Sequence, residues 1–343
     1  MVSAAALRRR PIRIIMMAGY FSVILYLTSF VSGTFENYAS GANELQIDQT
    51  FYLPLREISG LDARPLKNDT FELLAVGDRY AQVLFTHFNL TSRLVENSEV
   101  IDYTDSIVDY FAICHSDRIP DCHKLKKSMT SQWEAIKSDA SGRIYLLHEQ
   151  FASIVVIRRD STEVEGVINL EHFELTRNRR DLKENALGEG MVLLKNGHIM
   201  VAKEREKAAM IEFGPADDPA EGYQISSLIR SKDTFPLNTS HTSYVPLHYW
   251  KLPADFRPCD LSEVSADSEG NLYILSQKCR MIAQIGELSL DQNKMTFVNT
   301  WGLPKNISGA EAFVVLPGHR FLVAQDRKSE HAPNLHLLSS DSK

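Results

Sequence analysis

"GEGMVLLKNGHIMVAKER", residues 188–205, sets Asn196-Gly197 between two apolar runs, with a glutamate near each outer end. Asn-Gly between alternating apolar residues is the strongest short-range signal for a two-residue type I′ hairpin, because both central residues take positive φ. Counting outward from that turn, Glu189 faces Glu204. The two carboxylates become cross-strand neighbours with Cβ atoms roughly 5 Å apart, where like charges repel. A solvated strand end tolerates such a pair. Otherwise a divalent cation, a shared proton or a basic neighbour has to compensate.

The arrangement recurs along the chain. "WEAIKSDASGRIYLLHE" pairs Glu134 with Glu149 about Ser141-Gly142, and "AEAFVVLPGHRFLVAQD" pairs Glu311 with Asp326 about Gly318-His319. "LSEVSADSEGNLYILSQ" pairs Ser262 with Gln277 about Glu269-Gly270, and "ISGLDARPLKNDTFELLAVGD" pairs Ser59 with Asp78 through a longer turn. Each unit continues into a third β-rich run: Ala81–Phe85, Ser153–Ile157, Ala208–Phe213, Met281–Ile285 and Asn334–Leu338. Repeats of this kind govern the fold. Three strands per unit with turn residues between them predict an all-β, antiparallel β-propeller of five or six blades, a sixth lying within 95–130 or 214–256. The stretch "LQIDQTFYLPL" (45–55) is placed to supply an outer strand to the last blade and close the ring. No extended helical periodicity appears after the N-terminus.

The first 33 residues stand apart from the propeller domain, 34–343. They carry Arg8, Arg9, Arg10 and Arg13, then an apolar run from Ile14 to Val31, without one acidic residue. That is an apolar helix acting as a signal-anchor, or a signal peptide cleaved after Val31-Ser32-Gly33. Either way the remainder is extracytoplasmic, membrane-anchored in the first case and secreted in the second. Without the leader the formal charge goes from −7 to −11, which excludes nucleic acid as a natural partner and suits cations.

Four cysteines form two local pairs, Cys114 with Cys122 and Cys259 with Cys279. In an exported chain they suggest two disulfides, although three connectivities are open. Cys114-His115 with Cys122-His123 is an alternative zinc set, at a spacing outside the established short patterns. Asn68, Asn89, Asn238 and Asn306 head N-x-Ser/Thr sequons, so the chain would be a glycoprotein where its source glycosylates exported proteins. Residues 98–130, 158–187 and 214–256 read as long inserted surface loops, of the kind that often cover a functional face.

In a propeller the first strand of each blade lines the central channel, so equivalent positions converge on the axis. Here those positions are Ser59, Glu134, Glu189, Ser262 and Glu311. Three carboxylates in a narrow, poorly solvated channel repel one another. Calcium resolves the conflict, taking 6–8 oxygen ligands of mixed type, whereas zinc would want His or Cys, which the ring lacks. The other reading is a ring of side chains hydrogen-bonded around water. A second tier, Asp78, Glu149, Glu204, Gln277 and Asp326, is followed by Arg79, Gln150, Arg205, Lys278 and Arg327. If the strands end there, the four bases could ring the mouth and draw in an anionic small molecule; otherwise the pairs are solvated strand ends. His148 and His198 sit in strand patterns as hydrogen-bonded structural side chains.

These hairpin repeats resemble the "EG(hydrophobic)…dG.lyl.sE" blades of the SdiA-regulated and esterase-like phytase propeller families, over roughly residues 53–338. The resemblance implies an exported, calcium-containing propeller. The order Ser, Glu, Glu, Ser, Glu is also similar to the central calcium site of calcium-activated nucleotidases (apyrases), five-bladed propellers that hydrolyse nucleoside di- and triphosphates. It implies Ser59, Glu134, Glu189, Ser262 and Glu311 as ligands. The nucleotidase motifs outside the ring find no match here, and the asparagines that lactonase-type propellers use at their metal are missing. The Gly-x-Ser-x-Gly elbow, the metalloprotease His pair and the phosphate-binding glycine loop are also missing. Two functions stay open: a calcium-dependent hydrolase of a phosphate or other anionic ester, with Glu149 or Glu204 orienting the attacking water, and a non-enzymatic binding or scaffold module.

Overall fold

A computed structural model describes residues 43–114, 127, 129–171, 188–204, 208–237, 241–327 and 332–340. All of them belong to one compact unit, Ala42–Lys343. The leader, His115, Cys122, His123, Arg205 and Asn238 lie outside the described residues, as does the side chain of Cys114. Among the described residues no helix is long and apolar enough to cross a membrane.

Among the described residues, twenty strands make five antiparallel runs of four. The first is β2(Ile58–Pro65), β3(Thr70–Gly77), β4(Gln82–Asn89) and β5(Leu94–Asp102). The second is β6(Trp133–Ser138), β7(Arg143–His148), β8(Ser153–Arg158) and β9(Val164–Leu170). The third is β10(Gly190–Leu193), β11(Ile199–Lys203), β12(Ala209–Gly214) and β13(His241–Lys251). The fourth is β14(Glu263–Ala266), β15(Leu272–Ser276), β16(Met281–Ile285) and β17(Phe297–Gly302). The fifth is β18(Ala310–Leu316), β19(Arg320–Gln325) and β20(Leu335–Ser340), completed by β1(Asn43–Phe51) from the start of the chain.

The inner strands β2, β6, β10, β14 and β18 each contact the next in a closed cycle. Five apolar cores fill the spaces between neighbouring runs. Leu74, Val83 and Phe85 meet Trp133, Leu146 and Val155 between the first and second. Met200 and Met210 meet Val264 and Ile274 between the third and fourth, and the other three interfaces are built alike. Each sheet is therefore buried on both faces, which is why "MVLL" and "IMVA" are continuous apolar runs instead of alternating ones. This is a propeller-type ring, and the strand expected from residues 45–55 closes it, Leu45 to Phe51 pairing with Ser340 to Leu335. Asn334 locks the closure: its side chain accepts from Leu53 N–H (2.8 Å) and donates to Leu53 O (3.0 Å) and Leu55 O (2.8 Å).

Several sequence expectations need correction. The hairpin at 194–198 is not type I′: Gly197 has φ +93°, but Asn196 is not in the left-handed region. Gly197 N–H donates to Leu194 O (3.1 Å) and Leu194 N–H to His198 O (2.9 Å), so the glycine ends a wider turn. Leu193 pairs with Ile199 and Gly190 with Ala202, one residue off the expected register. The stretches expected to be loops hold β9 and β13, and helix α1(Thr104–Cys114) follows β5 within 98–130. Ile107, Val108 and Phe111 bury one face of α1 against the first interface core. Outer strands carry little apolar pattern, as β5 (LVENSEVID, mostly exposed) shows. Cys259 and Cys279 are disulfide-bonded with Cα atoms 5.3 Å apart.

Two glycines set the spacing of the inner strands. A Cβ on Gly60 would come within 2.8 Å of Ala135 Cα, and one on Gly190 within 2.5 Å of Val264 N. Neighbouring backbones can approach this closely only where no side chain intervenes.

Candidate functional site

Every inner strand starts at the same mouth of the ring, and there three of them carry β-bulges. The register of β2 slips between Ile58 and Gly60, that of β6 between Trp133 and Ala135, and that of β18 between Ala310 and Ala312. The residues left over are Ser59, Glu134 and Glu311, three of the five ring positions. A bulge re-aims a side chain that the regular pleat would have sent to the other face. Glu189 and Ser262 instead immediately precede β10 and β14.

A cavity of about 230 Å³ opens at this mouth. Its wall holds Ser59, Glu134, Glu189 and Glu311 from the ring, Asp78, Glu149, Glu204 and Asp326 from the facing strands, and Glu57, Gln132 and Arg79. Ser262 is buried beside it but does not line it; its Oγ accepts from Gln277 N–H at 3.3 Å. Gln277 Nε2 in turn donates to Glu311 Oε1 at 2.9 Å. Ser59 Oγ donates to Trp133 O on the next run, and Asp78 Oδ1 accepts from Gln132 N–H at 2.7 Å. Glu149 and Glu204 are buried.

The electrostatics follow from eight carboxyl groups around one small space. The Glu134 carboxyl is pushed well above the usual carboxylate range by burial first, then by the charges of Asp78, Glu149, Glu311 and Glu204. Glu189 is pushed up the same way, by burial and then by Glu134, Glu149, Glu204 and Glu311. Among the described residues Arg79 is the one base in the wall, and its Nε sits 2.7 Å from Glu57 Oε2.

Of the other bases read from the sequence, Arg205 lies outside the described residues and two are placed elsewhere. Lys278 is held by its backbone N–H on Asp260 (3.0 Å), and the Arg327 guanidinium donates to Gln325 Oε1 (2.9 Å); neither lines the cavity. Glu57 and Gln132 had no signal in the repeat pattern. Each lies two residues before a bulge and has a left-handed backbone, φ 46° and 71°, so the chain turns sharply into the bulge there. The two strand histidines are structural. His198 Nδ1 is 2.7 Å from Glu212 Oε1, and buried His148 packs on Trp133 and Phe151.

Among the described residues the polar side chains of the wall offer only oxygen ligands apart from Arg79 and the Gln132 amide nitrogen, which is the chemistry of a hard cation. Among the described residues no three His, Cys, Asp or Glu side chains form a ready-made metal-holding group.

Strand pairing and the acidic mouth define the class of protein, an all-β propeller-type chain with carboxylates around its axis. No family model matches the chain, and no curated protein matches it. Among solved structures it is similar to glutaminyl cyclase from Myxococcus xanthus, at 11% identity over 86% of this chain and 95% of that one, TM-score 0.44. It is similar to virginiamycin B lyase from Staphylococcus aureus at 10% identity over 82% and 67%, TM-score 0.36. A protein of unknown function from Bacteroides caccae matches at 11% identity and TM-score 0.33 over 74% of this chain, which spans 64% of that protein's length.

Proposed function

We propose that the chain is an exported, five-bladed propeller that binds calcium at its acidic mouth and hydrolyses a phosphate or other anionic ester there, held to the membrane by its N-terminal segment. One observation carries the reading: eight carboxyl groups from all but the fourth run line one cavity, and burial with mutual repulsion holds Glu134 and Glu189 away from ionisation. Glu134, Glu189 and Glu311 would hold the ion, with Ser59 and Ser262 beside them. Ligation would draw together carboxylates that do not now form a metal-holding group. When bound, calcium would supply charge neutralisation and polarisation of an ester oxygen. Buried Glu149 or Glu204 would accept the proton of the attacking water. The bases expected to steer an anion reduce to Arg79 among the described residues of the wall, and Glu57 already holds it. The resemblance to the esterase-like phytase and nucleotidase propellers supports the same assignment.

A second reading is favoured by the size of the cavity. At about 230 Å³ it is smaller than most small-molecule sites, which suits an ion that only closes a scaffold ring.

The full chain in mild detergent should bind calcium with one-to-one stoichiometry in calorimetry, and Glu134→Gln should weaken that binding at least tenfold. Turnover of nucleotides, phytate or p-nitrophenyl esters that needs calcium and is lost in Glu149→Gln or Glu204→Gln supports the hydrolase. Calcium binding without turnover of any of them supports the scaffold. No binding at millimolar calcium ends both.

A further inference from the structure

The inner strands that open the acidic mouth also run to the opposite end of the ring, where a larger cavity of about 460 Å³ lies. The same strands line both: β2 gives Ser59 to one and Asp62 to Pro65 to the other, β6 gives Glu134 and then Lys137, and β18 gives Glu311 and then Val314. Glu263 stands between them. From β14 its Oε2 accepts from Leu61 N–H on β2 (3.4 Å), and its Oε1 lies 3.8 Å from Lys137 Nζ on β6.

The inserted segment 215–237 lines this second cavity with residues 228–233. It is tied to four of the five runs. Lys195 N–H donates to Ser227 O (2.7 Å) and Ile229 N–H to Leu193 O (2.9 Å) on the third. Ala140 N–H donates to Asp233 O (2.9 Å) on the second, Arg230 Nη2 donates to Glu269 O (2.7 Å) on the fourth, and Arg64 Nη2 reaches Ser231 O (3.4 Å) from the first. A backbone strap thus lies over one side of the cavity.

The charge of this cavity is opposite to that of the other mouth. Among the described residues its wall carries five bases, Arg64, Lys137, Lys195, Arg230 and Lys232, against three acids. The acids are all engaged. Asp62 accepts from the Ser138 hydroxyl and N–H, Asp233 from Lys195 and Arg230 N–H, and Asp267 from the N–H groups of its own hairpin. Arg230 is spent on carbonyls. Arg64 makes one long contact, Lys232 is exposed with no salt bridge to a described residue, and buried Lys137 donates to Leu61 O (3.0 Å) beside Glu263. Positive charge is left over on a chain of formal charge −7. Phe71, Val192, Leu193, Val314 and Val315 supply an apolar side to the same space, and its volume falls in the ordinary range for a small-molecule site.

We propose that the strapped cavity is a second binding site, for a small organic anion with an apolar body, its acidic group held by Arg64 and Lys232. It is independent of the calcium reading, because no residue lines both cavities.

The probe is naphthalene-2-sulfonate, which cannot be hydrolysed, compared by calorimetry with its neutral analogue naphthalene-2-sulfonamide on the full chain in the presence of chelator. The expected result is one sulfonate per chain, bound about tenfold or more tightly than the sulfonamide. In the Arg64→Gln/Lys232→Gln variant, checked for an unchanged circular dichroism spectrum, that preference should fall to about threefold or less. Lys305→Gln, an exposed base outside the cavity, should keep it. Absence of saturable binding, equal binding of the two probes, or a preference that survives the double substitution would overturn the proposal.

Discussion

Replacing Glu263 with glutamine should make the protein more stable, by an amount that grows with pH. Glu263 is completely buried on the axis between the two cavities, and burial pushes its carboxyl from 4.5 up to about 8 against the opposing pull of Lys137. A carboxyl raised in the folded state holds a proton that the unfolded chain has released. Its contribution is therefore intact below pH 4.5 and is lost as pH rises through 8. At about 1.4 kcal/mol per pKa unit, the loss is about 3 kcal/mol at neutral pH and about 5 kcal/mol above pH 9. Glutamine carries no such linkage, and its carbonyl can still accept from Val264 N–H, which Glu263 Oε1 does at 3.0 Å. Urea titrations of both proteins at pH 5 and pH 8 give the stability difference at each pH. Any fixed cost of losing the Lys137 contact, and the titration of the acidic mouth, cancel when the two differences are subtracted. The remainder should favour the variant by about 3 kcal/mol at the higher pH. A difference that changes by less than about 1 kcal/mol between the two pH values would show that Glu263 is ionised at little cost and would refute the reasoning.

Three further outcomes are expected. Gly190→Ala should destabilise the fold by about 1–3 kcal/mol in denaturant titration, as overpacking does, because the new Cβ meets Val264 N and Glu263 Cα; a neutral result would mean that the inner strands are free to separate. Opening the Cys259–Cys279 bridge by Cys279→Ser should cost about 3 kcal/mol for a loop of this length, read as a lowered urea midpoint. The His336 imidazole is pushed down to about 4 by burial first and Arg327 second, so its stability contribution is present above pH 6.5 and lost as pH falls towards 4. Its ring resonances should stay put between pH 7.5 and 5.5, and a midpoint near 6.5 would contradict the burial argument.

The parts of the fold that local chemistry dictates were legible in the sequence. A glycine in a turn between apolar runs marks a hairpin whatever surrounds it, so the inner and middle strands and the closing role of residues 45–55 could be read directly. The register could not. Asn196-Gly197 permits more than one turn, and the choice depends on how β10 and β11 pack between the neighbouring runs. The bulges at Ser59, Glu134 and Glu311 also escape pattern reading, since a bulge is a response to the converging strand ends. Equivalence of position nonetheless picked out acids that share the cavity wall. Ser262 was placed in the ring by the same rule, yet it makes a hydrogen bond to Gln277 N–H outside the wall. Lys278 and Arg327 follow strand ends as expected, but neither lines the cavity, and the Arg327 guanidinium is taken by Gln325. The strap over the second cavity had no signature, because its contacts lie up to 167 residues apart in the chain.

The fifth run borrows its outer strand from the beginning of the chain, and Asn334 fastens the borrowed strand in place. A nascent polypeptide can build the first four sheets as they emerge, but it cannot complete the circle until β20 has left the ribosome. Native stability is thus conferred in one late step, and a chain cut short before residue 335 would leave the β1 edge and two interface cores open to water and to proteases.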